Sequence, residues 1–113
     1  MGYYTDFDIM AEPMNGDLSK DGYAEIWERL EEISDYTFDG YGAGAELYDA
    51  KWYDYHKDMT KLSEEFPDVK FTVEGEGEEK GDQWKRYYVA GKYQHANVKI
   101  IFDNFDMNKM RKD

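Results

Sequence analysis

Carboxylates dominate this chain, and their placement is uneven. Acidic residues number 26 against 14 basic ones, for a net charge of −12. Residues 1–50 hold 13 of the acids and only two bases, Lys20 and Arg29, whereas residues 51–113 hold 13 acids and 12 bases. Any fold must leave these charges in water or pair them, because burying an isolated carboxylate is prohibitive. Mean hydropathy is correspondingly low, −0.96. Yet 18% of the residues are aromatic, eleven of them tyrosine. Disordered acidic chains are poor in aromatics, so this one is expected to fold. Its 113 residues suit one α+β domain over 1–113, with 106–113 as a frayed tail.

Several classes drop out early. The chain has no cysteine, which removes disulfides, thiolate zinc sites and cysteine nucleophiles. Its N-terminus shows neither a basic nor an apolar signal region. No apolar run approaches the ~20 residues of a membrane helix. These features set the expectation of a cytoplasmic protein. A strongly negative chain is repelled by nucleic acid and by anionic membranes, so its expected partners are basic surfaces.

Periodicity outlines the elements. Tyr3 to Met10 alternates weakly and reads as a strand, and Pro13, Asn15 and Gly16 mark a turn. Tyr23, Ile26, Trp27, Leu30 and Ile33 form one apolar stripe of a helix for which Asp21 is the expected N-cap. Asp39–Gly44 reads as a glycine-rich loop and Glu46–Tyr53 as a second strand. Asp54 is the expected cap of a second helix, with Tyr55, Met59, Leu62 and Phe66 facing inward and Pro67 ending it. Val69, Phe71 and Val73 alternate with polar residues, as a half-buried strand requires. Gly75–Gly81 reads as a hairpin tip, and Gln83–Ala90 and Ala96–Phe102 as two strands around a turn at Gly91 and Lys92. The expected order is β-α-β-α-β-β-β, a largely antiparallel sheet with two helices on one face.

Residues 48–93 carry a family pattern. Tyr48-Asp49-Ala50-Lys51-Trp52 leads into a helix with Leu62-Ser63 that closes on Phe66-Pro67-Asp68. Phe71, Gly81, Tyr87-Tyr88 and Gly91 follow. This resembles a ferredoxin-like family of small proteins carried by phages, plasmids and integrated elements, in which a W-G-T-K-W-type strand precedes a helix ending L-S-x-x-F-P. Tyr48, Asp49 and Ala50 stand where that family has Trp, Gly and Thr. The resemblance implies a mobile-element origin and a ferredoxin-like variant of the α+β class. It implies no catalytic residues.

Catalytic and cofactor motifs fail on their spacing. Gly75-Glu76-Gly77 has Lys80 where a dinucleotide loop needs glycine, and no Gly-Lys-Ser/Thr ending makes a P-loop. Asn104, Asp106 and Asn108 match the first ligand spacings of a calcium loop, but Lys109 replaces its glycine. A looser acid group at Glu74, Glu76, Glu78 and Asp82 reads as solvated. His56 and His95 form no paired metal motif. Ser19, Ser34 and Ser63 lie in no nucleophile elbow. Lys85, Arg86, Tyr87, Tyr88 and Lys92 interleave bases with aromatics, yet the net charge weighs against a nucleic-acid strip. Neither a cofactor nor a metal is expected, and no enzyme is nominated.

What remains is the acidity. Glu25, Glu28, Glu32 and Asp35 run along one side of the first helix, and Asp21, Asp39, Glu46 and Asp49 flank it. Carboxylates in rows suit the Lys and Arg rows of nucleic-acid-binding proteins. The primary expectation is an inhibitor of a host defence protein of the anti-CRISPR or anti-restriction kind, acting as a DNA mimic. Two other readings stand beside it. One is a homodimeric interaction module joined through sheet edges or aromatics. The other is a small-molecule binder or small enzyme with a pocket near Trp27, Trp52 and Trp84.

Overall fold

Among the described residues, two amphipathic helices and six strands account for nearly all of the regular structure. The computed structural model describes residues 4–78, 83–97 and 104–111. In α1 (Lys20–Ser34) the residues Ile26, Trp27 and Leu30 are buried, with Tyr23 and Ile33 packed at their margin. In α2 (Tyr55–Glu65) Met59 and Leu62 are fully buried. Each fully buried side chain of this size contributes ~1.5–3 kcal/mol. Ser19 rather than Asp21 caps α1, its hydroxyl accepting the Gly22 N–H at 3.1 Å. The helix begins two residues earlier than expected, so Asp21 falls in its first turn, where a negative charge suits the dipole. Asp54 does occupy the N-cap of α2, but its side chain makes no capping hydrogen bond.

The strands are β1 (Thr5–Pro13), β2 (Asp39–Tyr41), β3 (Gly44–Ala50), β4 (Val69–Gly77), β5 (Gln83–Val89) and β6 (Lys92–Asn97). A 3-10 turn at Met107–Lys109 follows, where Asp106 accepts the Asn108 N–H. The sheet runs β2-β3-β1-β4-β5-β6, with every neighbouring pair antiparallel. The chain is therefore α+β, but its order is β-α-β-β-α-β-β-β rather than β-α-β-α-β-β-β.

The extra strand comes from the glycine-rich stretch. Gly42, at φ 57, reverses the chain so that Asp39–Tyr41 pairs back on Gly44–Glu46. What reads as a loop is a hairpin, and β3 starts at Gly44 and stops at Ala50 instead of spanning 46–53. Gly75–Gly77 belongs to β4 rather than to a tip, because its backbone pairs with β1 and part of it with β5. Residues 79–81 of that expected tip lie outside the described residues. Ala90 and Gly91 both have positive φ, 48° and 82°, the requirement of a tight two-residue hairpin turn. The last described strand therefore begins at Lys92, not Ala96, and residues 98–102 of the expected strand are not among those described.

One layer of side chains joins sheet and helices. Phe7, Ile9, Ala11, Val69, Phe71, Val73 and Tyr88 alternate along their strands and meet the apolar faces of α1 and α2 in a single core. Aromatic rings fill the space where the sequence suggested a pocket. Trp52 packs edge-on to Phe7 and Phe38, with centroids at 5.1 and 5.2 Å, and donates its Nε1–H to the buried Asp58 at 2.7 Å. The Trp84 ring lies so close over Gly75 that any Cβ there would overlap it. Ser63, fully buried on α2, accepts the Gly91 N–H at 2.9 Å and so ties the β5–β6 turn to the helix. Among the described residues no helix is long and apolar enough to cross a membrane.

Two substitutions test this packing by denaturant unfolding. Gly75→Ala should destabilise the fold by ~1–3 kcal/mol through displacement of Trp84. Ser63→Ala should cost ~1–3 kcal/mol by orphaning the Gly91 N–H. Wild-type midpoints for both would show that neither contact matters.

Candidate functional site

The helices cover one face of the sheet and leave the other bare. Side chains alternate along each strand, so the partners of the core residues point into the open. On β1 these are Asp6, Asp8, Met10 and Glu12, and on β4 Lys70, Glu74 and Glu76, with Thr72 between them covered by its neighbours. On β2 a Cβ at Gly40 would meet the Trp27 ring of α1, so its neighbours Asp39 and Tyr41 face the other way.

Strand register then aligns the acids. Asp39 lies opposite Glu46, Glu46 opposite Asp8, Asp8 opposite Glu74, and Glu74 opposite Lys85. Four carboxylates thus cross four adjacent strands in one line and end on a single cation, whose Nζ is 3.0 Å from Glu74. A second pair, Asp6 opposite Glu76, lies beside them. The Asp6 carboxylate also accepts the Asp49 N–H at 2.8 Å, which holds the left-handed residue Asp49 (φ 52) at the register irregularity between β3 and β1.

Crowding leaves an electrostatic mark. The Asp8 carboxyl is raised above its ordinary value by desolvation first and by Glu46 next, with Glu74 and Asp6 adding to it. Tyr48 beside it is pushed up to about 12, by desolvation and then by Asp8 and Glu46. The phenol therefore stays protonated and points its hydroxyl at Asp8, 3.4 Å away. Two grooves flank the line and share Asp8. One of about 480 Å³ runs along Asp6, Glu74, Glu76, Lys85 and Tyr87. Another of about 290 Å³ runs along Met10, Asp39, Tyr41 and Glu46.

Such a surface accepts hydrogen bonds and attracts cations. Among the described residues no three His, Asp or Glu side chains converge as metal ligands. The base-and-aromatic run of β5 splits between faces, with Lys85 and Tyr87 on the open side and Tyr88 fully buried beneath α2.

The acids singled out from sequence fall on two surfaces. Asp21, Glu25, Glu28, Glu32 and Asp35 are exposed on α1 or at its end. The buried stripe of α1 faces the sheet, so Glu25, Glu28 and Glu32 point away from it. Glu32 is bound there by Arg29 at 3.0 Å, and Arg29 also pairs with Glu65 at 2.6 Å. Asp39 and Glu46 join the line on the opposite side of the molecule, and Asp49 sits beside it, with its N–H on Asp6. Sequence reasoning did not assign Asp8 or Glu74, the third and fourth members, to a binding surface. Their signal was present as acids at alternate positions of two strands, but nothing local says that β1 and β4 are neighbours.

No protein-family model, curated protein or solved structure matches the chain. The functional reading rests on the geometry of the open face.

Asp8→Asn tests the electrostatics. A carboxyl raised in the folded state contributes stability below its unfolded value, near 3.9, and loses it as pH rises through the folded value. Asp8→Asn should therefore raise the thermal midpoint at neutral pH and leave it nearly unchanged at pH 3. A lower midpoint at neutral pH would mean that Asp8 is held by a favourable partner instead.

Proposed function

We propose that this chain is an inhibitory binding protein whose bare, acidic sheet face occupies the basic, nucleic-acid-binding surface of a host defence protein. The single observation carrying this reading is the line Asp39–Glu46–Asp8–Glu74. Like charges directly opposite one another destabilise a sheet, and only the last of these four is matched by a cross-strand lysine. A local rule broken with no structural return marks a surface kept for another purpose.

The geometry favours a row of Lys and Arg as the occupant. Strands lie ~4.8 Å apart, so four carboxylates in register span ~14 Å. A nucleic-acid strand presents one charge per ~3.4 Å of axis, and proteins that bind it match that density with cations. Beside the line stand Tyr41, 93% exposed, and Met10, 48% exposed, apolar groups able to anchor a docked chain. The α1 carboxylates form a second acidic surface facing the other way, and their partial neutralisation by Arg29 favours the sheet face as the binding side.

The finer description of the fold belongs to the same proposal. The order β1-α1-β2-β3-α2-β4, with β1 between β3 and β4, supports a split β-α-β, ferredoxin-like unit extended by the β5–β6 hairpin. A mobile-element inhibitor of the anti-CRISPR or anti-restriction kind, working in the host cytoplasm, agrees with that architecture and with the charge.

A tagged pull-down from bacterial lysate tests the proposal. The expected capture is a nucleic-acid-binding protein that is released by about 0.5 M salt, as screened charges predict, and displaced by added duplex DNA. Glu46→Lys with Glu74→Lys should abolish the capture. Retention in high salt, indifference to DNA, or unchanged capture by the charge-reversed protein would each overturn it.

A further inference from the structure

On the helix side of the sheet, one cation is held by imidazoles and aromatic rings. Arg86 projects from β5 between α2 and β6, and among the described residues no carboxylate pairs with it. Its Nε–H donates to His95 Nδ1 on β6 at 3.1 Å, and its Nη1 lies 3.0 Å from His56 Nδ1 on α2. The guanidinium is flanked by two aromatic rings, Tyr55 of α2 at 5.5 Å and Tyr93 of β6 at 5.1 Å. Tyr88 of β5 places its hydroxyl 3.0 Å from the same His56 nitrogen, and the His56 ring meets Tyr93 edge-on at 4.5 Å. Three elements therefore meet around one side chain.

A guanidinium can only donate, so both imidazole nitrogens facing it must be bare acceptors. The arrangement is satisfied when each ring carries its proton on Nε2. A second proton, taken up on Nδ1 of either ring, would set an N–H against an N–H and place an imidazolium about 3 Å from Arg86, with no described carboxylate pairing with the guanidinium to offset it. Among the described residues, the titratable and charged groups around the guanidinium are Tyr55 and His56 from α2, Tyr88 from β5, and Tyr93 and His95 from β6.

We propose that His56, Arg86 and His95 form a pH-operated latch that joins α2 to the β5–β6 hairpin while both imidazoles are neutral and lets go when either takes up a proton. His56 is biased toward the closed form, since desolvation and then Arg86 lower its affinity for a proton. A histidine lowered in the folded state contributes stability above its unfolded value, near 6.5. That contribution is lost as pH falls from there through the folded value. The latch is thus closed at neutral pH and opens under mild acid, freeing the hairpin edge where Tyr93 is already 55% exposed.

Nitrogen-15 NMR of the intact chain reads the latch directly. At pH 7.5 both histidines should show the Nε2–H tautomer, and His56 should titrate below 6.5. Amide exchange in β6 should rise at least tenfold between pH 7 and pH 5, after correction for intrinsic exchange. The His56→Asn, His95→Asn double variant keeps an acceptor oxygen near each Nδ1 position without a proton to gain, and its corrected β6 exchange should not change over that range. An Nδ1–H tautomer at either histidine, a His56 midpoint at or above 6.5, or wild-type exchange in β6 that ignores pH would overturn the proposal. Should the double variant fold poorly, the tautomer and midpoint of the wild-type chain still decide it.

Discussion

Strand pleating sends alternate side chains to opposite faces of a sheet, and here the helices bury only one of those faces. Everything else about this protein depends on that asymmetry. The covered face takes Phe7, Ile9, Phe71, Val73 and Tyr88 into a core with Ile26, Leu30, Met59 and Leu62. The bare face receives whatever lies between them, and in β1 and β4 that is a succession of acids. Because side chains repeat every second residue, a slip of one position would bury those carboxylates and expose the core. The hydrophobic pattern thus holds the acidic line in register, and the line needs no favourable contacts of its own.

Two close contacts show how an aromatic-rich, strongly charged chain packs so densely. Gly40 and Gly75 leave room for the indoles of Trp27 and Trp84 to lie against the sheet backbone. Trp27 then donates its Nε1–H to Gly42 O at 2.8 Å and fixes the β2–β3 hairpin under α1. Since β2 carries Asp39, this buried contact on the covered face sets the outer end of the line on the bare one. The structural and the exposed halves of the molecule are coupled through a three-residue strand.

Helix stripes, strand alternation and the stop at Pro67 are local signals, and all of them were legible in the sequence. The misread stretches share a different cause. Asp39–Gly44 looks like a loop because its glycines and polar residues carry no period, and it becomes a hairpin only through β3 and the ring of Trp27. Gly75–Gly77 looks like a tip because glycine weakens a strand, and it is held as one by pairing to β1 on one side and β5 on the other. The candidate site suffered in the same way. Spacing along α1 revealed its carboxylates at once, whereas Asp8 and Glu74, 66 positions apart, meet only after the sheet is assembled.

The acidic line and the α1 carboxylates face opposite sides of the molecule, so the side that meets a partner separates the two placements. Amide chemical-shift mapping of the labelled protein, titrated with the purified nucleic-acid-binding protein that it captures, tests this most directly. The account predicts perturbations centred on Asp39, Glu46, Asp8 and Glu74 and spreading to Tyr41 and Met10. Perturbations confined to Glu25, Glu28 and Glu32 on α1, with the bare sheet face unchanged, would contradict it.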